Sequence, residues 1–445
     1  MRPPFLGLKD YDLNELFSAK NLPTPCYVLD EAALKANGEK LATVRAATGC
    51  KILLAQKAFS NYDLYPALEP YLDGTEASGI FEARLGREEM PNKEVHVFCG
   101  AYREKDFPEL FNYADHIVFN SIHQLAKFGP AAKAAGKSIG LRINPQRSTQ
   151  EGHAIYDPCA PGSRLGTSRS AWDKEMTPEL LDLIDGLHSH TLCQQNSDDL
   201  ATTVEAIEEK FGDILPRLKW LNLGGGHHIT RPGYETDTLI RTIKHLQDKY
   251  GFTVYLEPGE ACAINAGYLV TEVLDVLTES AFTNKDETDK PIIPVIVDAS
   301  AACHMPDVIE MPYRPPLMDA VSLEDDIAEG ETFDGCGDPS LANKTEPNFP
   351  YRLGGPTCLS GDSIGDYAFA EPLKIGDRLV FGDMAIYSTC KNNTFNGMPL
   401  PSIYKLAEDG TLELLKSFGY SDFKARLGKQ NPPQSIISSC SCFFS

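Results

Sequence analysis

The chain of 445 residues carries 41 lysines and arginines against 63 aspartates and glutamates, a formal net charge of -22. So acidic a balance argues against nucleic acid or an anionic membrane surface as a partner, and it suits a cationic substrate. No apolar stretch approaches the ~20 residues a membrane helix needs. Met1–Tyr11 lacks the basic start and apolar run of a signal peptide, so a cytoplasmic protein of two or three domains is expected. The 12 cysteines are scattered with no C-x-x-C pair, which fits free thiols in a reducing compartment.

Thr24–Asp30 reads as a short strand. Glu31–Thr48 reads as a helix, with Leu34, Leu41 and Val44 at helical spacing. Lys51–Lys57 then begins as a continuous apolar run, the pattern of a fully buried strand, and ends on a lysine. A lysine at the edge of a core is costly unless something uses it. Further strands are expected at Thr75–Ser78, Glu94–Gly100, His116–Asn120, Ser138–Asn144, Gly186–Leu192, Trp220–Gly224 and Thr253–Glu257. Helical stretches such as Ile122–Ala135, Ser197–Phe211 and Thr236–Tyr250 lie between them. Eight strands with interleaved helices predict a (β/α)8 barrel.

After Glu260 the texture changes to strands with Gly/Pro punctuation: Gly267–Leu277, Pro291–Asp298, Pro372–Phe381 and Ser402–Leu406. The expected domains are a barrel over 31–262 and a β-sandwich or β-barrel domain made by 263–428 with the N-terminal 1–30. Residues 429–445 read as a disordered tail. The acidic stretch Ser322–Asn348 reads as a surface insertion. Cys442-Phe-Phe-Ser445 fits a prenylation box only loosely.

Barrel enzymes keep their chemistry at the C-terminal ends of the strands. Lys57, His188-Ser-His190, Gly224-Gly-Gly226-His-His228 and Glu257-Pro-Gly259 all fall at that rim. Three glycines let the backbone approach an anion, in the loop where barrels often hold phosphate. A lysine, a phosphate cradle and an acid together suit pyridoxal phosphate, which takes a Schiff-base lysine and an acidic partner for its ring nitrogen. His188 and His190 are two apart on a strand, so both face one side, and one imidazole can lie against the ring. Gly354-Gly-Pro-Thr-Cys-Leu-Ser-Gly-Asp362 and Asp383-Met-Ala-Ile-Tyr387 read as hairpin turns of the β domain.

These segments resemble the alanine-racemase-like (fold-type III) pyridoxal-phosphate decarboxylases, from Thr24 to about Leu406. Within that family they are most similar to the branch acting on carboxynorspermidine and carboxyspermidine. The likeness rests on Gly186-Leu-His-Ser-His-Thr-Leu-Cys193, Leu221–Arg231, Glu257-Pro-Gly-Glu-Ala261 and Gly355–Asp362. It implies that Lys57 holds the cofactor, His190 stacks on it and Glu257 pairs with its nitrogen. Gly224, Gly225, Gly226 and Tyr387 would bind the phosphate. It implies a homodimer with shared sites, in which Cys358 donates a proton and Asp362 meets a distal substrate amine, both in trans. Glu260 stands where ornithine- and diaminopimelate-type members have arginine, and is expected to serve the substrate; Arg231 is then the candidate to neutralise the phosphate.

The rivals are a diaminopimelate-type decarboxylase, an amino-acid racemase, a metal-dependent barrel hydrolase using His188, His190, His227 and His228, and an inactive homologue acting as a regulator. Glu257 argues against the racemase, which would pair the ring nitrogen with a weaker acid. The metal hydrolase is disfavoured because its H-x-H pair belongs on the first strand, not the sixth. Otherwise no metal is expected.

Overall fold

The computed structural model describes residues 22–150, 156–277, 292–323 and 349–429. Residues 1–21, most of the acidic 322–348 stretch and the expected tail beyond Lys429, with Cys442, lie outside them.

Eight parallel strands close into a barrel: Lys51–Ala55, Gly74–Ala77, Glu94–Phe98, His116–Phe119, Ser138–Arg142, Gly186–His188, Trp220–Asn222 and Thr253–Leu256. Pairing of Lys51 with Tyr255 closes the ring. Every strand is shorter at its C-terminal end than the sequence suggests. The backbone leaves the ladder early, and polar residues such as Gln56, Asn120 and Glu257 follow to build the rim. Gln56 marks this at the first strand. Its fully buried side chain donates to the Glu82 carbonyl at 2.9 Å and accepts from the Tyr65 hydroxyl at 3.1 Å, so Lys57 sits in a pinned turn.

The lumen is filled by Leu53, Val118, Trp220 and Tyr255, with Phe98 packed against them. Trp220 fits because its neighbours lack side chains. A Cβ on Gly186 would stand 2.0 Å from the indole, and one on Gly140 2.4 Å from it. The helix Glu31–Thr48 forms as expected. Asp30 caps its start by accepting from the Ala33 N–H at 3.0 Å, and Gly49 ends it in the left-handed region at φ 69°.

The remaining strands form one nine-stranded mixed sheet. Gly267–Val276 is its longest member and pairs with Cys26–Asp30, Ile293–Val297 and Arg378–Phe381. The N-terminal strand therefore joins the C-terminal sheet, as expected. The Gly355–Asp362 turn is flanked by a hairpin, Phe349–Gly354 against Ser363–Phe369, whose strands the sequence reading missed. Pro350 and Gly354 mask the first of these, since neither favours a strand interior. The strand expected at Pro372–Phe381 begins only at Arg378, because Lys374 and Gly376 turn the chain first. This sheet reaches back to the barrel. The Tyr387 N–H donates to the Ala58 carbonyl at 2.9 Å, and the Cys390 thiol donates to the Lys57 carbonyl at 3.1 Å.

Candidate active site

Glu257 follows the last barrel strand and is buried, 3% exposed. Asn222 Nδ2–H donates to its Oε1 at 2.6 Å, and His188 Nε2 lies 3.0 Å from its Oε2. Burial alone would push this carboxyl up. The His188 ring and the charge of Lys57 more than offset it, and the group is held down at about 2. Burial pushes His188 below the ordinary histidine value, against the pull of Glu257. His188 thus gains a role that the sequence left open: it orients Glu257.

The glycine run lies beside this acid. The Glu257 N–H donates to the Gly224 carbonyl at 2.7 Å, and the Gly225 N–H donates to His190 Nδ1 at 3.2 Å. Gly224 and Gly226 have φ of 71° and 80°. A Cβ on Gly225 would meet the Glu257 carbonyl oxygen at 2.4 Å, and one on Gly226 the Leu192 carbonyl oxygen at 2.1 Å. The loop is therefore drawn against His190 and Glu257 in a path open only to glycine. Gly226→Ala is expected to weaken pyridoxal phosphate binding at least about tenfold, since a left-handed residue with a Cβ costs roughly 1–2 kcal/mol before any clash. Titration of the cofactor's visible band measures this; unchanged affinity would remove the loop from the phosphate site.

His190 is half-buried, and its ring centre lies 6.5 Å from that of His188. Burial, then the Lys57 and Arg142 charges, push it well below the ordinary histidine value, so the ring is neutral. Arg142 donates to the His190 carbonyl at 3.0 Å and lies over Phe98, 4.6 Å from the ring centre.

Two further carboxylates escaped the sequence reading. Glu76, on the second strand, is 1% exposed, and its Oε2 is buried with no partner. Burial pushes it up to about 8, against the pull of the Lys57 charge. Glu82 also feels Lys57; burial raises its carboxyl although the Ser78 N–H donates to it at 2.6 Å. The signal for Glu76 was an acid at the end of a strand of small residues, but a four-residue strand gave no periodicity to orient it.

Glu260 accepts from Gln194 Nε2–H at 2.9 Å and lies 2.9 Å from His228 Nε2. Burial would raise its carboxyl, but the His228 and Gln194 contacts lower it. His227 Nε2 lies 3.1 Å from the Gly224 carbonyl and braces the loop. His227 and His228 thus serve the loop and Glu260. His188, His190 and Glu257 do lie close enough together to hold a metal ion, but their hydrogen bonds commit them to each other and to the glycine loop. Arg231 braces the same loop through its N–H, which donates to the His228 carbonyl at 2.9 Å.

Tyr387 has φ 46° and lies in the segment against the Lys57 turn. Cys358 is exposed, and its thiol donates to Asn396 Oδ1 at 3.1 Å. Asp362 is anchored within its own chain. Its buried carboxylate accepts from Ser300 Oγ–H, 2.9 Å from both oxygens, from the Ala302 N–H at 3.2 Å and from Thr357 Oγ1–H at 2.6 Å. These contacts orient the carboxylate and tie it to the Cys358 turn.

A barrel rim with a pinned lysine, a glycine-only loop and a braced buried acid defines a pyridoxal-phosphate enzyme. The family model described as the pyridoxal-dependent decarboxylase C-terminal sheet domain matches residues 26–385. The chain is 39% identical to a carboxynorspermidine/carboxyspermidine decarboxylase of Campylobacter jejuni, over 92% of this chain and 99% of the relative. It is 38% identical to a carboxyaminopropylagmatine decarboxylase of Synechocystis, over 92% and 96%. It resembles the crystal structure of the Campylobacter jejuni carboxynorspermidine decarboxylase complexed with norspermidine, with a TM-score of 0.76 and 37% identity over 91% of this chain and all of that one. The chain belongs to the pyridoxal-dependent decarboxylases, and its cofactor is pyridoxal phosphate.

Proposed function

We propose that this chain decarboxylates carboxynorspermidine or carboxyspermidine, releasing CO2 and norspermidine or spermidine, as a cytoplasmic homodimer. Its domains are taken as the barrel over 31–262 and the sheet domain made by the N-terminal strand with 263–428. The observation that carries the reaction is Glu257, held ionised by Asn222 and His188 beside the glycine loop and within reach of the Lys57 charge. For the substrate, the support is the two polyamine-pathway relatives and a rim rich in carboxylates: Glu76, Glu82, Glu257 and Glu260 all feel Lys57.

Pyridoxal phosphate, when bound, supplies an electron sink for the carbanion left as the α-carboxylate departs as CO2. Lys57 would anchor it through its side-chain amine. Gly224, Gly225, Gly226 and Tyr387 would hold its phosphate, and the His190 ring would stack on it. Glu257 keeps the ring nitrogen charged. Cys358, from the other protomer, returns a proton to Cα. Asp362, held by Ser300 and Thr357 beside Cys358, would meet a distal substrate amine. Glu260, oriented by His228 and Gln194, faces a substrate ammonium. The Glu76 carboxyl, whose Oε2 has no hydrogen-bond partner, would be available to pair with the Lys57 amine.

The test is turnover of a substrate set with trapped CO2. Carboxynorspermidine and carboxyspermidine should each be decarboxylated, with kcat/KM within ~10–200-fold of one another, because one methylene discriminates only that far. Carboxyaminopropylagmatine, named for the Synechocystis relative, ends in a guanidinium. A preference for it over both carboxylated polyamines would overturn the substrate reading, and turnover of diaminopimelate alone would replace it.

A further inference from the structure

Lys57 and Tyr387 reach the site from different domains. Lys57 follows the first barrel strand, and Tyr387 follows the sheet strand Arg378–Phe381. A rigid cofactor that meets a lysine at one end and a phosphate site at the other needs a fixed separation between the two.

Residues 387–390 cross the Lys57 turn as a strap, with three contacts. The Tyr387 N–H donates to the Ala58 carbonyl at 2.9 Å, and the Cys390 thiol donates to the Lys57 carbonyl at 3.1 Å. The Thr389 hydroxyl donates to Asn61 Oδ1 at 2.6 Å. Of these three, only the last is made by side chains on both sides.

The strap is held rigidly at both of its ends. Upstream, the Met384 N–H donates to the Gly267 carbonyl at 2.9 Å, and Asp383 Oδ1 accepts from the Asn265 N–H at 2.7 Å. Downstream, the Asn393 N–H donates to the Cys303 carbonyl at 2.9 Å, and its side-chain amide donates to the Ala302 carbonyl at 2.8 Å. Between them the chain coils on itself, with the Lys391 and Asn392 N–H groups both donating to the Ser388 carbonyl. Asp383 and Tyr387 take left-handed φ values of 55° and 46°. Residues with a Cβ keep that conformation only where their surroundings impose it. Asn61 is tied to the barrel in turn, since its carbonyl accepts from the Leu64 N–H at 3.0 Å.

We infer that Thr389 and Asn61 are positioning residues for Lys57. Their hydrogen bond sets the lysine turn against the strap that carries Tyr387, and so fixes the distance from the lysine to the phosphate site. The inference rests on the reading of Lys57 as the anchor of the cofactor.

The experiment compares two ligands on the cofactor-free full chain. Pyridoxal phosphate can bond to a lysine. Pyridoxamine phosphate has the same ring and phosphate, but an amine in place of the aldehyde, so it cannot. Thr389→Val should weaken pyridoxal phosphate about three- to tenfold and leave pyridoxamine phosphate within about twofold, the scale of one hydrogen bond. Thr389→Ser, which keeps the hydroxyl, should restore the affinity. Asn61→Ala should match Thr389→Val, and the double variant should be no worse than either alone. If Thr389→Val does not fold, Asn61→Ala carries the test. Equal weakening of both ligands would assign the contact to the phosphate alone and overturn the inference. A lowered melting temperature with both affinities unchanged would make the contact merely structural and overturn it too. Borohydride fixation of the wild type, followed by peptide mapping, tests the underlying reading separately. Label on a lysine other than Lys57 would remove the anchor itself, whatever the variants show.

Discussion

Lys57→Ala is expected to lower kcat by on the order of 10²–10⁴ or more, because it removes the covalent anchor of the cofactor. The fold should survive. The turn is pinned by Gln56, the Tyr387 N–H and the Cys390 thiol through side chain and backbone groups other than the lysine amine. The glycine loop and Glu257 remain, so the variant should still bind pyridoxal phosphate, but borohydride should no longer fix it to the chain. Retained covalent fixation would place the attachment on another lysine. The same variant tests the shared site. Mixed with Cys358→Ala, it forms heterodimers in which one of two sites keeps both groups, so recovery of up to about a quarter of wild-type activity is expected. A mixture proven to contain heterodimers but showing no recovery would confine Cys358 to its own chain or remove it from the reaction.

Such a test is needed because the sequence speaks unevenly about the two halves of the site. The barrel was legible. Its strands are apolar runs separated by helices with clear periodicity, and Ser197–Phe211 and Thr236–Tyr250 form with the expected limits. Residues at strand ends were legible too, since period-two alternation and strand order place Lys57, His188 and Glu257 on one rim. What the sequence hid is which polar groups face each other across that rim. Asn222 reads as an ordinary strand residue until the Glu257 carboxylate is found 2.6 Å away. Glu76 sits 19 residues from Lys57 in the chain, on a strand too short to show its face. Asp362 was legible as part of a glycine-rich turn, but its partner Ser300 lies 62 residues earlier on another segment. Only the folded sheet shows that its carboxylate is engaged there.

Glu257→Gln is expected to lower kcat by roughly 10²–10³, the loss typical when one preorganised electrostatic group is removed. The argument rests on donors. Asn222 Nδ2–H and His188 Nε2–H both point at the carboxylate. A glutamine offers one acceptor oxygen and an NH2 group, so one of the two would face a donor, and the ring nitrogen of the cofactor would lose its counter-charge. A structural fault alone would give the same activity loss, and acid stability separates the two. The folded carboxyl is held down at about 2, from an ordinary 4.5. Between those values the unfolded chain binds more protons than the folded one. The stability this group contributes is therefore full above pH 4.5 and is lost as the pH falls toward 2. The gap in thermal midpoint between the cofactor-free wild type and Glu257→Gln should close as the solution is acidified through that window. A gap that stays constant with pH would mean that Glu257 acts by packing, and the charge assigned to it at the ring nitrogen would have to come from elsewhere.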